Sequence, residues 1–286
     1  MSDDIPDSPS EERYEFDFIP LPKLDDRPMG NTSTKTIILP PQEVVPSLRK
    51  TNQWGIFKEA AVNKKTLEYV DGCLKVNYRK GSASPGIGTG GFTMYAKPAC
   101  FPTSEARLDY EVFFPENFPW TRGGKLGFGL FIGQVGASGG HHPKDGSASL
   151  RVMWRPNGLG ECYLYRPYGV TQHPDYKKIP GLQVNDQYGD SLFRGSLTFA
   201  AGKWNKIGLC LKLNSLDAKG KPVPDGMLSL SVNGKTMRYD KMVWRQRRAD
   251  QINGIQASSF FGGSNASWAT PATTHILHRK ISVTVC

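Results

Sequence analysis

The fold is decided by the stretch Ser147-Ala-Ser-Leu-Arg-Val-Met-Trp154, which is followed by Pro156-Asn-Gly-Leu-Gly160 and then by Glu161-Cys-Tyr-Leu-Tyr165. Alternating apolar and polar residues on both sides of an Asn-Gly pair predict two strands joined by a tight turn. Elsewhere apolar runs are short, helical periodicity is weak, and 31 Gly and 21 Pro residues favour turns. We therefore predict an all-β fold, a β-jelly-roll sandwich of two antiparallel sheets with a concave substrate cleft.

One face of this hairpin contains its polar and charged side chains. Successive side chains point to opposite faces of a strand, so Ser149 and Arg151 share a face, as do Tyr163 and Tyr165 on the return strand. A turn centred on Asn157 places Arg151 opposite Tyr163 and Ser149 opposite Tyr165. The shared face then gathers a cation, two phenols and a hydroxyl, which suits an anionic, hydroxyl-rich ligand. Tyrosines at alternating positions also occur as ordinary strand packing, and this reading stays open.

The same alternation predicts further strands over residues 74–78, 106–112, 125–132, 204–213, 227–235 and 280–285. In the strand at 125–132 the apolar residues share one face, and Lys125, Gly127 and Gly129 share the other. Because glycine has no side chain, that second face is a low floor that another group can approach. We expect Lys125 to join the polar hairpin face there.

Composition divides the chain into an acidic, Pro-rich tail or linker, residues 1–45, and one β-jelly-roll domain, residues 46–286. The first 28 residues hold nine Asp/Glu and three Lys/Arg, a net −6, and because the whole chain carries +10 the remainder carries +16. A body this basic predicts a polyanionic partner, either nucleic acid, an anionic membrane or an acidic polysaccharide. We expect a monomer.

Two of these partners are disfavoured. The basic cluster Arg245-Gln-Arg-Arg248 lacks the interleaved aromatic residues or recognisable module of a nucleic-acid site, so we expect no nucleic acid. No window reaches the ~18 apolar residues of a membrane span, so we expect none. The acidic N-terminus also lacks the apolar segment of a secretory signal peptide. An acidic polysaccharide is the expected partner.

Hydrolysis and metal chemistry are weaker readings. A glycoside hydrolase needs two carboxylates flanking the scissile bond, and the best run, Asp109-Tyr-Glu111, is typical of a solvated strand face. Five cysteines show no C-x-x-C spacing, and the adjacent His141 and His142 point apart on an extended chain. We therefore predict no metal and no cofactor. If their Gly-rich loop, residues 133–146, closes over the cleft, His141 or His142 would bind substrate.

The chain resembles polysaccharide lyase family 14, most closely the alginate- and glucuronan-degrading lyases encoded by chlorella viruses. The matching segments are Ala106-Arg-Leu-Asp-Tyr-Glu-Val-Phe-Phe-Pro115, Gly123-Gly-Lys-Leu126, Ser149-Leu-Arg-Val-Met-Trp154, Gly160-Glu-Cys-Tyr-Leu-Tyr165 and Phe260-Phe-Gly-Gly-Ser264. The resemblance implies a β-jelly roll that cleaves β-1,4-linked uronic acid polymers by β-elimination without a required metal. It also implies an active centre formed by Lys125, Ser149, Arg151, Tyr163 and Tyr165.

These residue types fit elimination. Removal of the C5 proton builds negative charge beside a carboxylate, so a fixed cation such as Arg151 must neutralise that carboxylate. We expect Tyr165 or Lys125 to be the base and the nearby cations to lower the phenol pKa values. Tyr163 would orient or protonate O4, and Ser149 would bind substrate.

The alternative function is a non-catalytic, lectin-like jelly roll that binds acidic polysaccharide without cleaving it. For the lyase, the resemblance to viral enzymes implies degradation of an algal cell wall. The protein would act from the virion or after release by host lysis.

Overall fold

The structure, a computed structural model, describes residues 34–60, 65–84, 90–140, 144–263 and 265–286. Its strands, in chain order, are β1 Lys35–Leu39, β2 Ile56–Ala60, β3 Leu67–Val70, β4 Cys73–Tyr78, β5 Phe92–Ala96, β6 Glu105–Phe113, β7 Gly124–Ile132, β8 Ala148–Trp154, β9 Leu159–Tyr165, β10 Asp190–Thr198, β11 Trp204–Lys212, β12 Gly226–Val232, β13 Lys235–Met242, β14 Ile252–Phe261 and β15 Thr274–Val285. Short 3₁₀ turns occupy Pro41–Val44, Pro46–Leu48, Pro156–Gly158, Pro174–Lys178 and Ala266–Trp268. No helix in these ranges is long and apolar enough to cross a membrane.

The strands form two antiparallel sheets, as predicted. The back sheet has the order β13-β12-β11-β6-β15-β4-β3, with β1 also paired to β15. The second sheet, called the site sheet below, has the order β10-β9-β8-β7-β14-β5-β2. The β8–β9 hairpin therefore lies near one end of the site sheet, and β7 joins it to β14.

The hairpin has the predicted register. Arg151 pairs with Tyr163 and Ser149 pairs with Tyr165. Asn157 has φ 60° and the following glycine has φ 75°, so both lie in the left-handed region that a tight hairpin turn requires. The turn chemistry thus fixes which side chains face each other across the two strands.

The inner face of the hairpin anchors it in the core. Leu150, Val152 and Trp154 all belong to the main buried cluster between the sheets. The Trp154 ring centroid lies 5.2 Å from that of Phe261 and 5.5 Å from that of Phe118. Aromatic pairs at such distances contribute about 0.5–1.5 kcal/mol each beyond their burial. This packing holds the backbone of β8 in place, and with it the polar side chains on the opposite face.

The folded body includes residues ahead of position 46. Strand β1 pairs with β15, and Leu39 and Val44 are fully buried. The buried Glu43 carboxylate accepts a hydrogen bond from the Gln53 backbone N–H at 2.7 Å, and the Trp54 indole N–H donates to the Pro40 carbonyl at 2.9 Å. Residues 35–45 therefore pack against the body, whereas the expected tail before residue 34 lies outside the described residues.

The acidic run considered for hydrolysis lies on the back sheet, in β6. Asp109 forms an exposed ion pair with Arg107 at 2.8 Å. Glu111 binds Arg279 at 2.6 Å and Lys280 at 3.0 Å. Both carboxylates are therefore paired on the sheet that does not carry the hairpin. The predicted solvated face is confirmed for Arg107 and Asp109, whereas Glu111 is buried between its two cations and the sheet.

Candidate active site

The outer face of the site sheet brings together the described residues that were predicted for the active centre. Ser149 faces Tyr165 and Arg151 faces Tyr163 across β8 and β9. Lys125, on β7, occupies the next row of the same face, opposite the residue two positions beyond Arg151. Although this face points away from the core, Lys125, Arg151 and Tyr165 are each less than a tenth exposed. The face is therefore a recess in which electrostatic interactions are strong.

Arg151 is a buried cation without a described carboxylate partner. It is 3% exposed, and its guanidinium carbon lies 5.2 Å from the centroid of the Tyr165 ring. Within the described ranges, no hydrogen-bond acceptor reaches its Nε or Nη2. A guanidinium stays charged in proteins, and a buried charge is costly unless it is paired. Two parallel donors of this kind suit a ligand carboxylate.

Lys125 is held close to Tyr163. Its Nζ lies 3.3 Å from the centroid of the Tyr163 ring and 2.7 Å from Met153 Sδ. Burial lowers the pKa of Lys125 well below its usual range, and the charges of Arg151 and Arg155 lower it further. A cation–π contact favours the charged form by about 2 kcal/mol when desolvated, less than the several kcal/mol that burying an ammonium costs. The lowered pKa makes the neutral amine, which can accept a proton, more accessible than in an exposed lysine.

The Tyr163 phenol differs from the expectation in its pKa. The hydroxyl of Tyr163 accepts a hydrogen bond from the Gly189 N–H at 3.1 Å, and that of Tyr165 accepts one from the Gly140 N–H at 3.0 Å. The pKa of Tyr163 is raised, mainly by burial and then by the Tyr165 phenol, and the nearby Arg151 only partly opposes this. The predicted lowering is therefore wrong for Tyr163, because desolvation of a phenolate outweighs the neighbouring cation. Tyr163 stays protonated and can donate.

Ser149 connects the sheet to the loop after β7. Its hydroxyl donates to the Ala137 carbonyl at 2.6 Å and is buried. The serine proton is thus engaged within the protein, which leaves the oxygen lone pairs to meet a substrate hydroxyl. The predictions for His141 and His142, in the same loop, lie outside the described residues.

A glycine on β7 makes room for Arg151. A Cβ added at Gly129 would lie 2.7 Å from Arg151 Cγ and 2.3 Å from the Leu150 carbonyl oxygen. The predicted low floor is confirmed at this position. Because Gly129 has no side chain, the aliphatic part of the Arg151 side chain can lie against this strand.

The floor does not extend to Gly127. A Cβ there would lie 2.7 Å from Nε2 of His278, which belongs to the back sheet, so this position faces the core. The register of β7 and β8 shifts between Lys125 and Leu130, and this bulge changes the alternation on which the prediction depended. Burial lowers the pKa of His278 to about 4, so the ring is neutral and its Nε2 donates to a backbone carbonyl at 2.7 Å.

An ion-pair cluster that adjoins the site was not predicted from the sequence. Glu161 is completely buried and accepts from Arg155 Nη2 at 2.6 Å and from the Ser191 hydroxyl at 3.1 Å. Arg194 Nε lies 3.7 Å from the second carboxylate oxygen. Glu161 and Arg155 continue the alternation of Tyr163 and Arg151, so the pattern that located the site could have located them.

Two further polar residues lie on the neighbouring strands. Gln256, on β14, is buried and donates from Nε2 to the Tyr95 hydroxyl at 3.1 Å. Tyr95, on β5, interacts electrostatically with Arg151. They could not be predicted because β14 mixes small and polar residues in Gln256-Ala-Ser-Ser259, which hides its alternation.

The fold and the charged face together indicate a class of protein. In the described ranges, no group of three or more His, Cys, Asp or Glu side chains is placed to hold a metal ion. A β-sandwich with a recessed face of cations and phenols is typical of jelly-roll proteins that recognise acidic carbohydrate.

The sequence profile described as Polysaccharide lyase 14 matches residues 67–281. The chain therefore belongs to the polysaccharide lyase 14 family, and the expected family and enzyme class are confirmed. It is also similar to exolysin of Paramecium bursaria Chlorella virus 1, with 29% identity over 171 residues, which is 54% of this chain and 25% of exolysin. The match thus spans about a quarter of the length of that relative.

Two solved structures share the fold. The PL-14 alginate lyase from Aplysia kurodai has a TM-score of 0.74 and 26% identity, with 88% of this chain and 99% of that chain covered. An alginate lyase from Chlorella virus has a TM-score of 0.71 and 27% identity, with coverage of 82% and 93%. The predicted β-jelly roll is confirmed by these similarities.

Proposed function

We propose that this protein cleaves β-1,4-linked uronic acid polymers, alginate or glucuronan, by β-elimination and leaves unsaturated uronate ends. The observation that carries the proposal is the buried Arg151 guanidinium, whose Nε and Nη2 have no acceptor in the described ranges, beside the amine of Lys125 and the phenol of Tyr163. A cation, a base and a proton donor are the three groups that this elimination needs.

Arg151 would bind the carboxylate of the sugar whose C5 loses its proton. The carboxylate acidifies that C–H bond only weakly while it is negative, because the forming enolate adds more charge. A guanidinium that donates two hydrogen bonds offsets this charge, and it does so best in a recess from which water is excluded.

Lys125 is the preferred base in this proposal. Its depressed pKa, caused first by burial, favours the neutral amine that can take the C5 proton. Tyr165 stays the alternative base, since its hydroxyl lies on the same face and its ring lies beside the Arg151 guanidinium. In β-linked glucuronate the C5 hydrogen and O4 lie on the same side of the ring, so groups on one protein face can act on both.

Tyr163 would protonate the departing O4. Its raised pKa, due mainly to burial, keeps the hydroxyl protonated until the glycosidic bond breaks. The C5–H electron pair then forms the C4–C5 double bond, O4 leaves with the phenol proton, and the proton on the base returns to the phenolate through solvent or directly. Ser149, His141 and His142 are the proposed contacts to the sugar hydroxyls.

The polymer and its source are the finer part of the proposal. The two structural relatives are named as alginate lyases, and the exolysin relative comes from a virus of algae. A body of strongly positive charge would also attract a polyuronate. We propose that the substrate belongs to an algal cell wall that this enzyme degrades.

The test is incubation of the protein with glucuronan, polymannuronate and polyguluronate, with cellulose as an uncharged β-1,4-linked control. The expected result is ultraviolet absorbance of unsaturated uronate from at least one polyuronate and none from cellulose. Retention of the protein by these polymers without any absorbance would instead support the lectin-like alternative and overturn the lyase proposal. Lys125→Ala that keeps full activity while Tyr165→Phe abolishes it would exclude Lys125 as the base.

A further inference from the structure

An exposed aromatic ring lies at the edge of the site sheet, away from the hairpin. Phe57, on the edge strand β2, is 55% exposed. Its ring centroid lies 6.4 Å from that of Tyr95 and 6.5 Å from that of Phe131. Tyr95 and Phe131 are buried. The three rings therefore form a cluster, called the aromatic platform below, that presents Phe57 to solvent and that the proposed elimination does not use.

A glycine allows the three rings of the platform to lie together. Phe131 is on β7, and β14 and β5 separate it from β2. It crosses β14 at Gly254, where an added Cβ would lie 2.9 Å from Phe131 Cε1. The missing side chain at Gly254 thus lets the Phe131 ring lie over the strand toward Tyr95 and Phe57.

The platform is joined to the active centre at two points. Phe131 is the register neighbour of Ser149 on β8. The Tyr95 hydroxyl accepts from Gln256, and Tyr95 interacts electrostatically with Arg151. A polymer that runs across the strands from Arg151 would therefore pass over the platform and reach the exposed ring of Phe57.

A cation accompanies the exposed ring. Lys58 pairs in register with Tyr95, and its Nζ lies 5.7 Å from the centroid of the Tyr95 ring. The next residue, Glu59, pairs in register with the core residue Met94 and binds Arg49 at 2.5 Å. The negative charge of this strand is therefore neutralised and on the other face, while its positive charge is on the platform side.

We propose that Phe57 and Lys58 form an additional sugar-binding subsite, which holds a uronate unit of the polymer away from the bond that is cleaved. The apolar C–H face of the sugar stacks on Phe57, and the Lys58 ammonium pairs with the sugar carboxylate. This subsite rests on the proposed function and adds substrate length as a determinant: long chains reach the platform, and the shortest cleavable oligomers do not.

The test compares Phe57→Ala with the unaltered protein on a long polyuronate and on the shortest oligomer that is cleaved. The KM for the polymer should rise about two- to tenfold, the affinity equivalent of about 0.5–1.5 kcal/mol for an aromatic contact. The KM for the short oligomer and kcat for both should stay unchanged. Phe57→Trp, which keeps an aromatic ring, should leave the polymer KM close to that of the unaltered protein. Lys58→Glu should raise the polymer KM more than Lys58→Gln does, because the added carboxylate repels the uronate carboxylate.

Tyr69→Ala is the matched control, because Tyr69 is an exposed aromatic residue on the back sheet. It should leave the KM values for both substrates unchanged. Equal effects of Phe57→Ala on long and short substrates, or no effect on either, would overturn the subsite. So would a change in oligomeric state with an unchanged KM, since Phe57 would then contact protein.

Retardation in gels that contain polyuronate separates this inference from the lyase proposal. If the unaltered protein forms no unsaturated product, the lyase proposal fails, but weaker retardation of Phe57→Ala than of Tyr69→Ala would still support the subsite. Equal retardation of the two variants would overturn it.

Discussion

Two groups of charged side chains on the outer face of the site sheet differ in whether a side chain of opposite charge is bound to them. At one group, the completely buried Glu161 is paired with Arg155 at 2.6 Å and has Arg194 3.7 Å away. At the other, Arg151 and Lys125 are buried with no carboxylate in the described ranges bound to either. Both groups lie on β7 to β10, where Glu161 shares a cross-strand row with Lys125 and is one row from Arg151.

The difference separates a structural role from a functional one. A buried carboxylate that is paired with a guanidinium has its charge balanced within the folded chain, and through Arg155, Ser191 and Arg194 it connects β9 to its neighbours. A buried cation without a counter-charge lowers stability, and such groups are expected where a ligand supplies the missing charge. Four predictions test this contrast. The first three run from the largest expected free-energy effect to the smallest, and the fourth concerns the pH dependence of stability.

Glu161→Gln should break the structural group. The change removes the only carboxylate bound to Arg155 in the described ranges and leaves a buried, uncompensated cation, so the free energy of unfolding should fall by about 3–5 kcal/mol. Urea denaturation measures it. Asp109→Asn, in an exposed pair with Arg107, is the control and should cost less than about 1 kcal/mol. Equal costs for both variants would contradict the contrast.

Arg151→Ala should reduce activity strongly without reducing the free energy of unfolding. Loss of the guanidinium should reduce kcat/KM on a polyuronate about 10²–10³-fold, as for loss of a donor that stabilises developing negative charge. The free energy of unfolding should stay the same or rise, because a buried cation without a partner is removed. Activity and urea denaturation are measured on the same sample. A stability loss as large as that of Glu161→Gln would show that Arg151 is structural.

Gly129→Ala should sharpen the contrast without changing any charge. The added methyl group would lie 2.7 Å from Arg151 Cγ and 2.3 Å from the Leu150 carbonyl oxygen, so the backbone or the Arg151 side chain must move. Overpacking of this kind costs about 1–3 kcal/mol, and displacement of a positioned group by about 1 Å can cost 10²-fold in rate. We expect loss of both stability and kcat/KM. Full activity at normal stability would show that the position of Arg151 against this strand is unimportant.

Lys125→Met, which also removes the proposed base, should change the free energy of unfolding only at some pH values. Because the folded-state pKa of Lys125 lies below the unfolded value of about 10.4, the unfolded chain binds more protons between the two, and stability rises with pH in that window. Replacement by Met should therefore raise the free energy of unfolding at neutral pH. The gain should shrink as the pH rises and vanish above about pH 11. Urea denaturation at neutral and alkaline pH measures it, and a gain that grows with pH would contradict the assignment.

The hairpin could be predicted from the sequence because its signals are local. Asn157-Gly158 fixes the turn, and alternation then decides that Arg151 faces Tyr163. The two sheets and the strands with clean alternation followed from the same rule. The family resemblance added the chemistry, which residue types alone left open.

What could not be predicted depends on groups far apart in the sequence. Gly127 faces the core because of a bulge in β7 and the position of His278 on the back sheet. The raised pKa of Tyr163 depends on burial in the folded chain, which outweighs the lowering by the Gly189 N–H and by Arg151. The Phe57 ring meets Phe131 only because β2 lies at the edge of the site sheet.

The central claim is that Arg151 acts by neutralising the substrate carboxylate, and a methyl-esterified polyuronate tests it most directly. The ester is already uncharged and acidifies the C5 proton without help, so Arg151 has little left to stabilise. The kcat/KM of the unaltered protein and of Arg151→Ala would be compared on the acid and ester forms of one polymer. The account predicts a loss of about 10²–10³-fold on the acid form and less than about tenfold on the ester. Equal losses on the two forms would contradict it.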